Sequence, residues 1–143
     1  MAAGMNAPLY TIEILRLAGS LPDAEVLERV DGRAELRSAT CGSSVLTEVQ
    51  LEGGRVAALS QDVRACAFGQ ASAALVAEHA DEKTRQEIAE TLSALTAWLE
   101  GTRDEPGGWG LEALAPARSR KSRHGAILLP FRALLAAVDE AAT

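Results

Sequence analysis

No apolar run in the chain approaches the roughly 18 residues that a bilayer-spanning helix needs, and its opening "MAAGMNAPLY" lacks the basic segment and continuous apolar stretch of a secretory signal. Both absences point to a cytoplasmic protein with no membrane partner. Cations are scarce as well: 14 Lys and Arg stand against 20 Asp and Glu, a net charge of −6. Nucleic-acid binding draws on a clustered excess of Lys and Arg, so it is not expected. There is no P-loop, no GxGxxG and no GxSxG, which removes the nucleotide enzymes and serine hydrolases built on them. Only two cysteines occur, Cys41 and Cys66, and they form no CxxC pair. In a reducing compartment they remain thiols, available to metal or sulfur chemistry rather than tied in a disulfide. No internal repeat is present.

What remains is the composition of a folded chain, 48% hydrophobic and 24% charged over 143 residues, which predicts one domain spanning 1–143 around one core. Residues 9 to 17 read as an opening helix with Leu9, Ile12 and Leu17 near one face and Tyr10 and Ile14 alongside, stopped by "GSLPD". From Arg33 the period becomes two. Val45, Thr47, Val49 and Leu51 fall on one side and Glu48, Gln50 and Glu52 on the other, the pattern of a half-buried strand. Gly53 and Gly54 can both take positive φ, so the chain returns through Val56 to Arg64 as a hairpin, and the segment before Cys41 supplies a third strand. Cys41 then lies at a turn between two strands and Cys66 just beyond another.

The second half reads as helical. Ile88, Leu92, Leu95 and Leu99 make one stripe, opened by a Thr84-to-Glu87 capping-box spacing and stopped by Gly101. "TRDEPGGWG" is a loop, "LEALA" one helical turn, and "ARSRKSRH" a basic loop. Pro130 suits the first turn of a last helix whose Phe131, Leu134, Leu135 and Val138 cover the sheet. Strands early and helices late define an α+β class: a small antiparallel three-stranded sheet packed against several helices.

Cys66 stands where a helix begins, and unpaired N–H groups and the macrodipole favour thiolate over thiol there. Such a sulfur suits a soft metal or a sulfur acceptor, although a free cysteine also serves as a small core hydrophobe. Cys41 sits on a turn softened by Gly42. His79 reads as a surface helix residue, whereas His124 and Gly125 lie just before the last helix. In the basic loop, Arg118, Arg120, Lys121 and Arg123 could receive an acidic partner or simply be solvated.

Taken together, "LY…IL" in the opening helix, "TCGS" on a strand turn, "CAFGQASA" at a helix start and "RHGAILLP" before the last helix resemble the U-type iron–sulfur scaffold family, the IscU, SufU and NifU amino-terminal proteins. The resemblance runs from about residue 9 to 138. Ala71-Ser72 follows Cys66 at the family's spacing, and the 25-position step from Cys41 to Cys66 agrees with it. The longer gap from Cys66 to Gly125 is similar to the SUF-type branch, whose extra segment corresponds to residues 100 to 118. "AILLPF" after Gly125 resembles that branch too.

Two positions depart from the family. Ser43 replaces the aspartate of Cys-Gly-Asp, and Gly125 replaces the third cysteine. The resemblance therefore implies a ligand set of Cys41, Cys66 and His124, the last matching the histidine that precedes the third cysteine in ISC-type members, with Ser43 a weak addition. Three ligands leave a metal one open position, which a thiol, water or the second chain of a homodimer would fill. A serine hydroxyl brings far less charge than a carboxylate, so a SUF-type zinc site is expected to be weakened. The implied role is assembly of iron, or a labile [2Fe–2S] cluster, for transfer, with a cysteine desulfurase and cluster-acceptor proteins as partners. It is no enzyme in the ordinary sense, although Cys66 or Cys41 would have to accept persulfide sulfur in place of the missing cysteine. The Leu-Pro-Pro-Val-Lys segment that a chaperone grips in ISC-type scaffolds is absent, with "SRKSR" in its place. Two other readings stand beside this one: a scaffold fold kept as a metal-free interaction module, and a SufU-like zinc-dependent sulfur-transfer protein.

Overall fold

Thr11 opens the first helix: its Oγ1 accepts the Ile14 N–H at 3.1 Å, one of the donors that a helix start leaves unpaired. The computed structural model describes residues 10–39 and 42–142, so Leu9 and Cys41 lie outside the described residues. Helix α1 spans Ile12–Gly19, later than expected, and turns a different face inward. Ile14 is fully buried with Leu17 and Ala18 packed on the core, whereas Ile12 is 73% exposed. Residues 14, 17 and 18 share one side of a helix, and the cap at Thr11 leaves Ile12 on the opposite side.

Three strands follow, β1 (Gly32–Arg37), β2 (Ser44–Glu52) and β3 (Arg55–Arg64), in the order β1-β2-β3 and antiparallel throughout. Gly53 and Gly54, at φ +59° and +78°, form the β2–β3 turn that the glycine pair predicts. Val45, Thr47 and Val49 are fully buried on the inner face. This is the alternation read from the sequence.

Helix α2 (Ala67–His79) is buried on nearly every side, from Phe68 through Val76 apart from Gln70. Its alanines and Ser72 let it sit inside the layer of helices, where larger side chains would collide. Helix α3 (Arg85–Glu100) has the expected capping box: the Thr84 N–H donates to Glu87 Oε1 at 3.0 Å, and the Glu87 N–H donates to Thr84 Oγ1 at 3.2 Å. It ends at Gly101, φ +86°. The loop beyond is pinned by Trp109, whose ring centroid lies 5.3 Å from that of Phe131 and 6.1 Å from that of His79. A 3₁₀ helix (Leu111–Ala117) then extends the single turn expected at "LEALA".

The largest departure is the last helix. α4 spans Lys121–Ala141, so the second half of the expected basic loop is its first turn, His124 and Gly125 lie within it, and Pro130 is internal rather than initial. An internal proline costs about 3 kcal/mol, because it has no N–H for the carbonyl four residues back, here that of Ala126. Burial of Ile127, Leu129, Phe131 and Leu134 outweighs this, at roughly 1.5–3 kcal/mol for each fully buried side chain. The Ser72 hydroxyl also donates to the Ile127 carbonyl at 2.6 Å. Tertiary packing carries the helix through a residue that would end it locally.

Candidate functional site

Arg37, Ser44 and Arg64 are register partners across the three strands. The turn at 38–43 and the residues leading to Cys66 therefore leave the sheet at the same end. The Ser38 N–H donates to the Ser43 carbonyl at 2.8 Å and closes that turn, which carries Cys41 in the sequence. Gly42 takes φ +72°, and Ser43 is 4% exposed.

Two residues past Arg64, Cys66 is the N-cap of α2 in extended conformation, and its half-buried thiol makes no capping bond. Gln70 fixes this entry from both sides. Its N–H donates to the Cys66 carbonyl and its Nε2 to the Ala65 carbonyl, each at 2.9 Å. The Tyr10 ring lies 5.3 Å from Phe68, two residues into the helix, so the start of α1 borders the same corner.

The remaining wall is α4. A Cβ placed on Gly69 would stand 3.4 Å from Ala126 Cβ and 2.6 Å from Ala65 Cβ, so α2 and α4 come together where only a residue without a side chain fits. Leu129 packs with Val45 near the start of β2, flanked by Leu36 and Val63. Gly125 lies one turn earlier on the same helical face as Leu129. The Nε2 of the neighbouring His124 lies 3.0 Å from the carbonyls of both Ala117 and Arg118. Carbonyls only accept, so Nε2 carries a proton, and in the neutral ring Nδ1 is the nitrogen left for a metal.

The basic residues divide into two kinds. Arg118 is committed to the fold: its guanidinium lies 5.0 Å from the centre of the Trp98 ring, Nε donates to the Trp98 carbonyl at 3.0 Å and Nη2 to that of Arg103 at 3.3 Å. Arg120 and Lys121 are exposed and Arg123 half-buried at the start of α4, with no side-chain cap there. Arg37 and Arg64, which sequence reading did not single out, add two exposed cations at the sheet end. Their signal was the arginine a few residues before each cysteine. Arg37 Nη2 lies 3.8 Å from a Glu35 carboxylate oxygen.

Carboxylates held below their usual range lie elsewhere. The Arg29 guanidinium bonds Asp31, the Thr84 backbone N–H bonds Glu87, and Arg85 bonds Asp139. Among the described residues no group of three or more His, Cys, Asp or Glu stands together to hold a metal, and Cys41 is not one of those residues. No helix among them is long and apolar enough to cross a membrane.

A three-stranded antiparallel sheet packed with several helices matches the NifU/IscU-like fold. No protein-family model and no curated protein matches the chain. Solved structures do. The amino-terminal NifU-like protein of Brucella abortus, described as nitrogen-fixing, is 29% identical, with a TM-score of 0.87 over 94% of each chain. A protein of thermophilic Fervidobacterium islandicum, assigned as an iron–sulfur cluster assembly scaffold for the SUF system, is 20% identical, with a TM-score of 0.75 over 91% of this chain and 96% of that one. A hypothetical protein solved at 2.3 Å resolution is 17% identical, with a TM-score of 0.74 over 92% and 97%. The last two share the fold. The fold and the likeness to the Brucella protein support the resemblance to the U-type scaffolds that the motifs carry.

Proposed function

We propose that the chain is an iron–sulfur cluster assembly protein that holds iron or a labile [2Fe–2S] cluster as cargo at the sheet-end corner and passes it on. The observation that carries this reading is that the 38–43 turn and the Cys66 helix start leave one end of the sheet, where α4 packs through Ala126 and Leu129. Cys66 and Cys41 supply thiolates and His124 its Nδ1. Gly125 leaves the remaining position to an external thiol or a second chain, and an incomplete ligand set favours release of cargo over retention. Cys66 is also the sulfur acceptor of choice. Its thiolate attacks the outer sulfur of a desulfurase persulfide, a new S–S bond forms on Cys66, and the donor cysteine leaves as thiolate.

Arg64, Arg120, Lys121 and Arg123 are cations that suit an acidic surface on the desulfurase or on a cluster acceptor. The reading places the protein in a reducing compartment, the cytoplasm, where both thiols stay free. A metal-free interaction module is the second reading, favoured by Gly125 and Ser43 at ligand positions and by the commitment of His124 Nε2 to two carbonyls. Anaerobic reconstitution with ferrous iron and sulfide separates the two. Iron and sulfide bound in equal amounts, and lost in Cys66→Ala and in Cys41→Ala, support the assembly role; a colourless, metal-free, folded protein supports the module.

A further inference from the structure

β1 stands at the edge of the sheet, and its register fixes which of its backbone groups face outward. The Ser38 N–H donates to the Ser43 carbonyl in line with the β1–β2 register, so residues 36 and 34 also turn their N–H and C=O toward β2. Those of Arg33, Glu35 and Arg37 point the other way, and no described residue bonds them. Among the described elements it is β2 and α4 that pack on β1. A row of unmatched N–H and C=O groups is a template for one more strand.

Charge decides which strand fits. Arg33, Glu35 and Arg37 alternate in sign and are exposed, in long surface pairs only: Arg33 with Glu48 at 3.5 Å and Arg37 with Glu35 at 3.8 Å. Two copies of β1 laid antiparallel with Glu35 on the two-fold axis set Glu35 against Glu35 and Arg33 against Arg37, like charges directly opposite. With Ala34 on the axis, Arg33 of each copy faces Glu35 of the other, and the outward backbone groups of both residues meet in register. Leu36 on the axis would pair Glu35 with Arg37, but it runs the start of each strand onto the 38–43 turn of the other.

α4 carries the same symmetry. Ala126 and the Ile127 carbonyl face α2, Ala137 lies against Gly32, and Leu129 and Ala133 pack with Leu36. The flank of α4 away from α2 therefore runs beside the β1 edge through Arg132, Ala136 and Glu140, of which Ala136 is half-buried and the other two exposed. Gly32 lies beneath Ala137 and Leu36 beneath Ala133, which puts Ala34 beneath the stretch holding Ala136. An axis through Ala34 passes close to Ala136, whose small side chain lets two helices approach, and sets Arg132 toward Glu140 of the second copy.

The geometry points to a homodimer in which two β1 strands join antiparallel about Ala34 into one six-stranded sheet, flanked by paired α4 helices. The Arg37 ends, and with them the Cys66 corners, lie on opposite sides of the axis, so each corner stays open and no ligand is shared. The dimer rests on neither metal nor the assembly role.

Sedimentation equilibrium of the iron-free full-length chain, with a chelator present and across a range of protein concentration, tests this. The mass is expected to rise to that of two chains and stop there, because an isologous pair closes. Glu35→Arg, and separately Arg33→Glu, should weaken the dimer about tenfold or more with the chain still folded by circular dichroism, and the variant carrying both exchanges should recover to within about threefold. Amide exchange at Arg33 and Glu35 should slow as the dimer fills. A mass of one chain at every concentration, growth past two chains, a dimer untouched by either single variant, or no recovery in the exchanged variant would overturn the inference. Loss of the dimer in Ile12→Glu with the edge variants unaffected would overturn it too, moving the contact to the exposed face of α1. Iron plays no part in the readout, so failure here leaves the assembly reading standing, and failed reconstitution leaves the dimer standing.

Discussion

Gly32 and the Ala137 carbonyl are packed so closely that a Cβ on Gly32 would stand 1.9 Å from that oxygen and 2.9 Å from Ala141 Cβ. The φ of Gly32 is not in the left-handed region, so glycine is needed for space alone. The first residue of β1 lets the last turns of α4 lie directly on the sheet edge. Gly32→Ala is expected to cost about 3 kcal/mol, since the obstacle is backbone and cannot swing away. Thermal unfolding should read this as a Tm drop on the order of 10 °C. An unchanged Tm would mean that α4 sits farther from β1.

Gly125 invites the opposite experiment. It lies in α4 one turn before Leu129, at the position where the family resemblance implies a third cysteine. Gly125→Cys should leave the helix intact or slightly firmer, by up to about 0.5 kcal/mol. It should also raise iron retained after desalting of reconstituted protein. Retention no better than in the parent chain would count against the corner as the cargo site.

The arginines and lysine near α4 should separate by readout. Arg118→Ala removes a ring contact and two bonds to carbonyls, and should lower stability by about 1–2 kcal/mol in urea unfolding. Lys121→Glu and Arg120→Glu, on exposed residues, should leave stability within about 0.5 kcal/mol. Their effect should appear in a pull-down or titration with the desulfurase, as weaker binding that is more pronounced at low salt.

Acid should destabilise the fold in a defined window. Asp31, Glu87 and Asp139 are each held below their usual values, by Arg29, by the Thr84 N–H and by Arg85. A carboxyl of this kind binds its proton less tightly when folded, so the unfolded chain takes up protons first as pH falls. The stability they contribute is complete above the unfolded values, 3.8 for the aspartates and 4.5 for Glu87, and is lost as pH drops through the lower folded values. Tm should be flat from pH 8 to about 5.5 and fall below about pH 4.5. Thr84→Ala should lower Tm at neutral pH, by about 1 kcal/mol in stability, and reduce the acid slope.

Local rules located several elements in advance. The Gly53-Gly54 turn, the alternation of Val45, Thr47 and Val49, the Thr84 capping box and the Gly101 stop each depend on residues within one turn or one strand pair, so their signal is written contiguously. Local rules failed at Ile12 and Pro130. Ile12 is as apolar as Ile14, and only the angle at which α1 meets α2 decides which is buried. Pro130 stops helices by local chemistry, yet α4 runs through it because its neighbours bury too much apolar surface to give up.

The candidate site divides in the same way. That Cys66 opens a helix, and that Ala71-Ser72 follow it at the family spacing, are properties of the amino-acid sequence by itself, as are the charge of −6 and the want of any membrane-spanning run. Tertiary structure alone decided that Gly69 admits α4, that His124 turns Nε2 to two carbonyls, and that Arg118 belongs to Trp98. Each depends on groups far apart in the chain, brought together by the register of the sheet and the crossing of α2 and α4, and a linear pattern carries no record of those angles.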